Sequence, residues 1–133
     1  MNRNEVLQNP RVIVIQKLYA HHFNKESEIT FPKHRYKKFI KDVVNGTIER
    51  KELIQKLMEE KLKEDINKYK TDLIIKLMIM AAIYEFMFMH KVPIKVVINE
   101  YLKVSDFFIE VSQKSFLNAI LDKASKVSRI KNE

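Results

Sequence analysis

A run of seventeen residues, Leu73 to Met89, contains fifteen apolar side chains and is interrupted only by Lys76 and Glu85. Its length is at the lower end of the roughly 17–25 residues that a transmembrane helix needs. A helix that is apolar on every side is also what the centre of a helical bundle requires. Because two charges interrupt the run, we predict a buried central helix of a bundle and no membrane span.

One glycine and three prolines in 133 residues argue against a β-rich fold, since tight hairpin turns use glycine at positions of positive φ. Long helices with short connections are the better interpretation, so we predict an all-α bundle of six to seven helices. A chain of this length suits a single domain over 1–133. Within it we expect subdomains at 1–70 and 71–128 that share the apolar helix, followed by a frayed tail at 129–133.

Apolar residues spaced by three and four positions predict the remaining helices. Gly46 is expected to end the second helix, and Asp72 to cap the central one. Pro93 suits the first turn of the next helix, and Ser112 is a suitable cap for the last. The helices around the central one are expected at about 11–23, 36–46, 49–65, 93–108 and 112–125.

The first and last helices carry apolar stripes that are expected to face the core. In the first helix the stripe contains Val12, Ile15, Tyr19 and His22, with Leu18 beside it. In the last helix it contains Phe116, Leu117, Ile120, Leu121 and Ala124. On periodicity alone, Tyr19 and Phe116 are therefore expected in the core.

The net charge of +8 comes from 25 basic and 17 acidic residues, and it is concentrated in the first half of the chain. Residues 1–70 carry 16 basic and 10 acidic groups, whereas residues 71–133 carry 9 and 7. A basic surface raises the local concentration of polyanions, which makes nucleic acid or an anionic membrane surface a candidate partner. Twenty of the basic residues are lysine, which fits a compositional bias equally well, so the charge alone does not establish a binding surface.

The titratable and nucleophilic residues form no pattern typical of catalysis or metal binding. His21 and His22 point about 100° apart on a helix, and His34 and His90 have no acidic or histidine partner one turn away. The chain has no cysteine and too little glycine for a phosphate-binding loop. We therefore expect no catalytic residue, no metal, no cofactor and no enzyme activity. Glu85, inside the apolar run, is expected to pair with a lysine, an arginine, a tyrosine or a helix N-terminus.

Several segments follow the order and residue pattern of one known family. They are Tyr84–Phe86, Val92–Glu100 and Ser115–Asp122, together with Arg11 and the element Gln16–Tyr19 in the first helix. In these segments the chain resembles the NusB family of bacterial transcription antitermination factors. The resemblance implies a NusB-like helical bundle and a cytoplasmic RNA-binding adaptor. Such an adaptor pairs with the ribosomal protein NusE, binds boxA-type RNA of ribosomal RNA transcripts and joins the RNA polymerase antitermination complex.

The resemblance also implies where the binding residues lie. Single-stranded RNA requires cations along its phosphates and aromatic or amide groups for its bases, and the starts of the first and last helices offer both. Tyr19 is implied at the protein-partner surface, although its stripe position also permits simple packing. Phe116 is suited to stacking on a base and equally to the core. The implied RNA-binding residues are Arg3, Arg11, Gln113, Lys114, Ser115 and Phe116.

Several positions depart from the family pattern. Family members usually begin with a cluster of arginines, and the matching stretch here, Leu7–Arg11, retains only Arg11. Met80, Phe108 and Ala119 stand where an arginine and two glycines are common. Fewer phosphate contacts predict weak RNA affinity for the protein alone. They also predict a weaker salt dependence, with the log–log slope reduced by about 0.7 per lost contact for single strands.

Two alternatives to the adaptor remain open from the sequence. One is a helical protein-interaction module that binds NusE or polymerase with RNA binding weakened or lost. The depleted arginine cluster favours it, and the net charge and the lysine-rich segment 33–41 oppose it. The other is a membrane-surface protein, which requires an exposed apolar stripe at 33–44. Members of the family occur as monomers and as homodimers, so either state is compatible with the resemblance.

Overall fold

The structure, a computed structural model, describes residues 8–68 and 72–129. Within those ranges the chain forms seven α-helices, one short 3-10 turn (η1) and no strand, which confirms the predicted all-α class. The elements are α1 (Pro10–Phe23), α2 (Lys37–Glu49), α3 (Lys51–Lys61), α4 (Lys63–Lys68), α5 (Leu73–Phe88), α6 (Ile94–Phe108), η1 (Val111–Gln113) and α7 (Lys114–Ser128).

Helix α5 is the centre of the fold, as its composition predicts. Asp72 caps it by accepting a hydrogen bond from the Ile75 N–H at 3.0 Å, which satisfies a donor that the first turn leaves free. Helices α1, α2, α3, α6 and α7 all pack against α5. Its buried residues therefore lie on every side of the helix, and they are Ile75, Leu77, Met78, Ile79, Met80, Ala81, Ala82, Ile83, Glu85 and Phe86.

The other helices pack on α5 as two groups. In the first group α1 and α2 contact each other and α5, and α3 contacts both α2 and α5. In the second group α6 and α7 contact each other and α5, and α6 also contacts α1. A central apolar helix is thus shared by an N-terminal and a C-terminal group, whereas the subdomain bounds of 1–70 and 71–128 stay a prediction.

Two structural features bear on the membrane alternatives. Among the described residues, no helix combines the length and the apolar character that crossing a bilayer requires. In α2 the apolar residues Ile40, Val43 and Val44 are buried against the core. The exposed apolar surface of segment 33–44 comes mainly from Tyr36, which is 48% exposed, and the segment therefore lacks the continuous exposed stripe that a membrane-surface role needs.

Helix α2 runs through Gly46 to Glu49, so the prediction that Gly46 ends this helix is wrong. The glycine at this position is explained by the ring of Tyr84, which packs against α2 in the space that a larger side chain would occupy. A Cβ on Gly46 would lie 2.1 Å from the Cζ of Tyr84 and 2.4 Å from its hydroxyl oxygen. Gly46 is therefore required for the close approach of α2 and α5, and not for a turn.

Two other predicted helix ends differ from the structure. The predicted third helix is divided, because Leu62 leaves helical geometry and separates α3 from α4. Ser112 is not the cap of the last helix, since it lies inside η1. The Gln113 N–H donates to the Glu110 carbonyl at 3.0 Å in this turn, and α7 begins directly after it. A tight turn thus takes the place of the predicted side-chain cap.

Helix α1 buries a different stripe from the one predicted. Val12, Ile15 and Leu18 are buried as expected, but Tyr19 and His22 are exposed. Helix α1 contacts α2, α5 and α6, and in its first half all side chains from Arg11 to Ile15 are buried. In the second half only Leu18 is buried. The predicted helical spacing of the buried residues is therefore correct, but the buried stripe ends at Leu18 and does not extend to Tyr19 and His22.

The residue after α7 is anchored where a frayed tail was expected. The Arg129 guanidinium donates from Nε to the Phe86 carbonyl at 2.9 Å and from Nη1 to the Val92 carbonyl at 2.8 Å. Its Nη2 donates to the carbonyls of Glu85 and Met89 at 3.1 and 3.3 Å. Carbonyl groups at a helix end have few backbone donors, so this side chain adds hydrogen bonds at the end of α5 and in the loop that follows it. The rest of the predicted tail lies outside the described residues.

Candidate nucleic-acid interface

Arg11 and Glu85 form a buried ion pair that joins α1 to α5. The Asn9 side chain caps α1 by accepting from the Arg11 N–H at 2.9 Å, and Pro10 follows the cap, so Arg11 lies in the first turn. Arg11 Nε donates to Glu85 Oε2 at 3.0 Å, and Nη2 donates to Oε1 at 2.6 Å. Glu85 is fully buried and Arg11 is 8% exposed. The expectation that Glu85 pairs with a basic or polar partner is confirmed.

Aromatic rings complete the surroundings of this ion pair. The Arg11 Cζ lies 4.7 Å from the centre of the Phe39 ring and 5.6 Å from that of Tyr101. Burial by itself lowers the pKa of Arg11, but the hydrogen bond and nearby negative charge of Glu85 outweigh it and raise the pKa. Burial, and then the charge of Glu85, raise the pKa of the Tyr101 hydroxyl well above its ordinary value. At neutral pH the arginine is therefore charged and the tyrosine neutral.

This geometry revises the role predicted for Arg11. Two nitrogens of its guanidinium bond to Glu85 and the Phe39 ring lies over it, so the group is not a free cation for a phosphate. Withdrawing it would leave a buried carboxylate without a partner, which is strongly unfavourable. Arg11 is thus a structural residue. Arg3, the other arginine predicted near the first helix, lies outside the described residues.

The remaining predicted RNA-binding residues are consecutive at the junction of η1 and α7. Lys114 Nζ lies 2.8 Å from the Asp106 Oδ1 of α6, which positions the lysine and offsets its charge. Ser115 is exposed, and Gln113 is half-buried. Phe116 is 9% exposed and belongs to the hydrophobic core. Of the two roles left open for this ring, the structure supports core packing.

Two exposed apolar residues near Lys114 were not anticipated from the sequence. Phe107, which follows Asp106 in the last turn of α6, is 46% exposed, and Val111 in η1 is 85% exposed. The Phe107 ring lies edge to face with that of Phe108, with 4.8 Å between their centres. The sequence feature that could have indicated the exposed Phe107 ring is the adjacent pair Phe107–Phe108. Adjacent helical residues point about 100° apart, so an inward Phe108 requires its neighbour to point elsewhere.

A basic segment, residues 33–41, lies beside the start of α1. The Tyr36 N–H donates to His34 Nδ1 at 2.9 Å, so Nδ1 is an acceptor and Nε2 carries the proton donated to the Gln8 carbonyl at 2.7 Å. This second bond joins the segment to the residues before α1. Lys38 is paired with Asp42 at 2.7 Å. The exposed cations of the basic segment are Lys33, Arg35, Lys37, Lys38 and Lys41.

Tyr19 is exposed in the second half of α1, together with Phe23. The two rings are one turn apart, with 4.9 Å between their centres, and Phe23 is 67% exposed. Exposed aromatic side chains that touch form an apolar surface patch of the kind that proteins use for partners. Tyr19 is about 12 Å along the helix from Arg11, so the structure separates it from the start of α1.

The described residues hold no group of three histidine, aspartate or glutamate side chains placed to share a metal ion. His34 makes the two hydrogen bonds of the basic segment, and the His22 ring lies 5.1 Å from that of Phe23. These two histidines thus have surface and structural surroundings, and the expectation of no metal site stays a prediction.

Comparison with known proteins shows what this arrangement is similar to. A family model described as the NusB family matches residues 8–126. A transcription antitermination protein NusB of Rhodopseudomonas palustris (strain BisB5) is 29% identical over 91 residues, which are 68% of this chain and 52% of that protein. A transcription antitermination protein NusB of Maricaulis maris (strain MCS10) is 25% identical over 116 residues, 87% of this chain and 72% of that protein.

A solved structure has the same fold. A structure of T. maritima NusB superimposes with a TM-score of 0.75 at 21% identity and covers 90% of this chain and 89% of its own. The chain spans about half the length of the first curated relatives that it matches. The family match reaches all seven described helices, which confirms the resemblance that the sequence motifs predicted.

Proposed function

The chain belongs to the NusB family, and from that premise we propose that it is a transcription antitermination factor that acts as an adaptor in the cytoplasm. It pairs with the ribosomal protein NusE, binds boxA-type single-stranded RNA of ribosomal RNA transcripts and joins the RNA polymerase antitermination complex. The curated relatives bear the name transcription antitermination protein NusB. The NusB family is non-enzymatic, in agreement with the expectation that this chain makes and breaks no covalent bond.

The basic segment 33–41 beside the start of α1 is the observation that supports RNA binding most directly. Among the described residues, no carboxylate forms a salt bridge with Lys33, Arg35, Lys37 or Lys41. Exposed cations of this kind bind phosphates and release the counterions that surround the RNA, which makes binding sensitive to salt. In this proposal the segment supplies much of the positive surface that the missing arginine cluster supplies in relatives.

The junction of η1 and α7 is the second part of the proposed RNA surface. Gln113 and Ser115 supply polar groups, and Lys114 supplies a cation that must be shared with Asp106. The exposed ring of Phe107 takes the stacking role that the sequence suggested for Phe116, because a base can stack only on an accessible ring face. Stacking of this kind tolerates different bases and adds to the phosphate contacts.

The Tyr19–Phe23 pair is the proposed surface for NusE. It is an exposed aromatic patch in the second half of α1, apart from the basic segment at the other end of the helix. Tyrosine and other aromatic residues are enriched at protein interfaces, where they bury large areas at low entropic cost. An adaptor of this design holds RNA and protein on different parts of one bundle.

The alternative is a helical protein-interaction module that binds NusE or polymerase with RNA binding weakened or lost. Two observations favour it: the Arg11 guanidinium is held by Glu85, and Lys114 is already paired with Asp106. The cations of the basic segment that form no salt bridge within residues 8–68 and 72–129 oppose it. Both functions share the expectation that the protein alone binds RNA weakly, and the adaptor adds that NusE supplies part of the RNA surface.

Fluorescence anisotropy tests the proposal with a labelled boxA-like single-stranded RNA, titrated with and without NusE at two salt concentrations. We expect salt-sensitive binding that tightens when NusE is present. The double variant Lys37→Ala, Lys41→Ala should lower the log–log salt slope by about 1.4, at about 0.7 per lost contact. Lys56→Ala, Lys61→Ala removes the same charge from α3 and serves as the matched control.

The outcomes separate the two functions. NusE binding without any RNA signal would support the protein-interaction module and overturn the adaptor. Full-strength RNA binding without NusE would contradict the proposal that this protein and NusE each supply part of the RNA-binding surface. An equal loss of affinity in both lysine pairs would show that net charge, and not the basic segment, governs binding.

A further inference from the structure

A cavity of about 380 Å³ opens among α1, α2, α3 and α5. None of the proposed RNA and NusE residues lines it, although the His22 ring at its edge lies 5.1 Å from that of Phe23. Its floor is apolar and consists of Leu18 from α1 together with Leu77 and Met80 from α5, all of which are buried. A cavity of this size accommodates a small organic molecule, because ligand pockets begin at roughly 300 Å³ and are lined mostly by apolar side chains.

The rim of this cavity is positively charged. Lys25, Lys51 and Lys76 line it from the turn after α1, the start of α3 and the first turn of α5, and no aspartate or glutamate is among the lining residues. Within the described part of the chain, none of these three lysines forms a salt bridge. Lysines drawn from two helices and a turn around one opening focus a positive potential on it.

The wall of the cavity holds two polar atoms without partners. Thr47 is 1% exposed, and its Oγ1 forms no hydrogen bond with any described residue. The same holds for His21 Nδ1, whose atom is also closed to solvent. Both residues line the cavity. Buried polar atoms are almost always hydrogen-bonded, so two unpartnered atoms at one place indicate a missing partner.

We propose that this cavity binds a small organic anion, either a carboxylate or a phosphate ester. Its compact apolar body rests on Leu18, Leu77 and Met80, and its charge lies among the rim lysines. Because Thr47 Oγ1 is closed to solvent, its side chain rotates toward the cavity to bond a hydroxyl or carbonyl group of the ligand. Lysines on a helix surface are ordinary by themselves; the apolar floor and the unpartnered Thr47 hydroxyl distinguish this opening from a solvated lysine cluster. The inference is independent of the RNA and NusE proposals.

Nuclear magnetic resonance of methionine methyl groups tests the site in the full chain, because Met80 forms part of the floor. The probes are benzoate, 4-hydroxybenzoate and phenyl phosphate, with benzylamine as a cation of similar shape and inorganic phosphate as an anion without an apolar body. We expect the organic anions to shift the Met80 signal saturably, with Kd at about the millimolar level typical of such small ligands. Met87, which does not line the cavity, should not move. Comparing benzoate with phenyl phosphate identifies the preferred head group.

Variants at the rim and wall separate the expected contacts. Replacing the three rim lysines together by glutamine should weaken binding of the organic anions about tenfold or more, since an exposed charge contributes up to about fivefold. The matched control replaces Lys56, Lys61 and Lys95, which lie outside the cavity, and should bind normally. Thr47→Val should abolish the preference for 4-hydroxybenzoate over benzoate while leaving the fold intact.

Several results would overturn the proposal. They are an equal Met80 shift with benzylamine, unchanged affinity in the rim variant, and no saturable shift with any organic anion. A Met80 shift produced by single-stranded RNA but not by the small anions would assign the cavity to nucleic acid instead. A preference for 4-hydroxybenzoate that persists in Thr47→Val would overturn the hydrogen bond assigned to Thr47.

Discussion

Arg11 and Glu85 are 74 positions apart in the chain, and their side chains meet in an ion pair with two hydrogen bonds that is almost closed to solvent. The pair spans α1 and α5, and the Tyr101 ring of α6 lies beside it. A buried charge is tolerated only with its partner in place. The pair therefore favours the one register of α1 on α5 in which both charges are satisfied.

The first prediction concerns this ion pair. Arg11→Met should lower the free energy of unfolding by about 3–5 kcal/mol, because it leaves the Glu85 carboxylate buried without a partner. The double variant Arg11→Met, Glu85→Leu should recover most of the loss, since neither charge then remains. Urea unfolding followed by circular dichroism measures both. Arg50→Met is the control, since its guanidinium lies over the exposed Phe88 ring. A double variant no more stable than the single one would contradict the prediction.

The second prediction concerns Gly46. Replacing a mid-helix glycine by alanine ordinarily stabilises a helix by about 0.5–1 kcal/mol. Here the new methyl group meets the Tyr84 ring, so Gly46→Ala should instead destabilise the protein by about 1–3 kcal/mol through overpacking. The sign of the change in urea unfolding therefore decides between the two effects. In a double-mutant cycle with Tyr84→Ala the cost should fall or reverse, and additive costs would disprove the contact.

The third prediction concerns alkaline pH. The ordinary pKa of tyrosine is 10.0, and burial raises the pKa of Tyr101 well above it in the folded state. The unfolded chain thus releases this proton first, so the stability is fully present below about pH 10 and is lost as pH rises toward the folded-state pKa. Tyr101→Phe removes that contribution, so the free energy of unfolding of this variant should decline less than that of the unmodified protein between about pH 9 and 11. Tyr19→Phe, at an exposed position, should retain the steeper decline in the same unfolding measurements.

The fourth prediction separates the RNA and NusE surfaces. Phe107→Ala should weaken RNA binding by about 1–3 kcal/mol, the amount associated with one stacked base, while NusE binding and stability change little because the ring is half exposed. Phe23→Ala should do the reverse, weakening NusE binding and sparing RNA. Anisotropy with RNA and calorimetry with NusE measure the two affinities. Equal effects of both variants on both partners would show that the surfaces are not distinct.

The fold was largely predictable because α5 is apolar on all sides and its neighbours have helical spacing. The contacts that decide the site were not. The sequence indicates that Glu85 needs a partner, but helical periodicity carries no information on a residue 74 positions away. The ion pair was therefore not predicted, and Arg11 was assigned to RNA binding instead. Gly46 is ambiguous in the same way. A glycine in a helical pattern is compatible with a helix end and with close packing, and only the facing Tyr84 distinguishes the two.

The predicted binding residues were limited by a related problem. Helical spacing gives the direction of a side chain but not how far a neighbouring helix covers it, which is why Tyr19 is exposed although its stripe is buried. For Phe116 the same spacing allowed core and stacking roles equally, and packing against the core decided between them. The cavity beneath Lys25, Lys51 and Lys76 is formed by residues from four separate helices. No local pattern joins them, so it was invisible in the sequence.

Glu85 holds both ends of the described chain. Its carboxylate binds Arg11 in the first described helix, and its backbone carbonyl accepts a hydrogen bond from Arg129, directly after the last helix. Loosening this turn of α5 releases α1 and α7 together. Amide hydrogens in these two helices should therefore exchange through one shared opening event, so that the bundle opens as a single cooperative unit and not by fraying from either end.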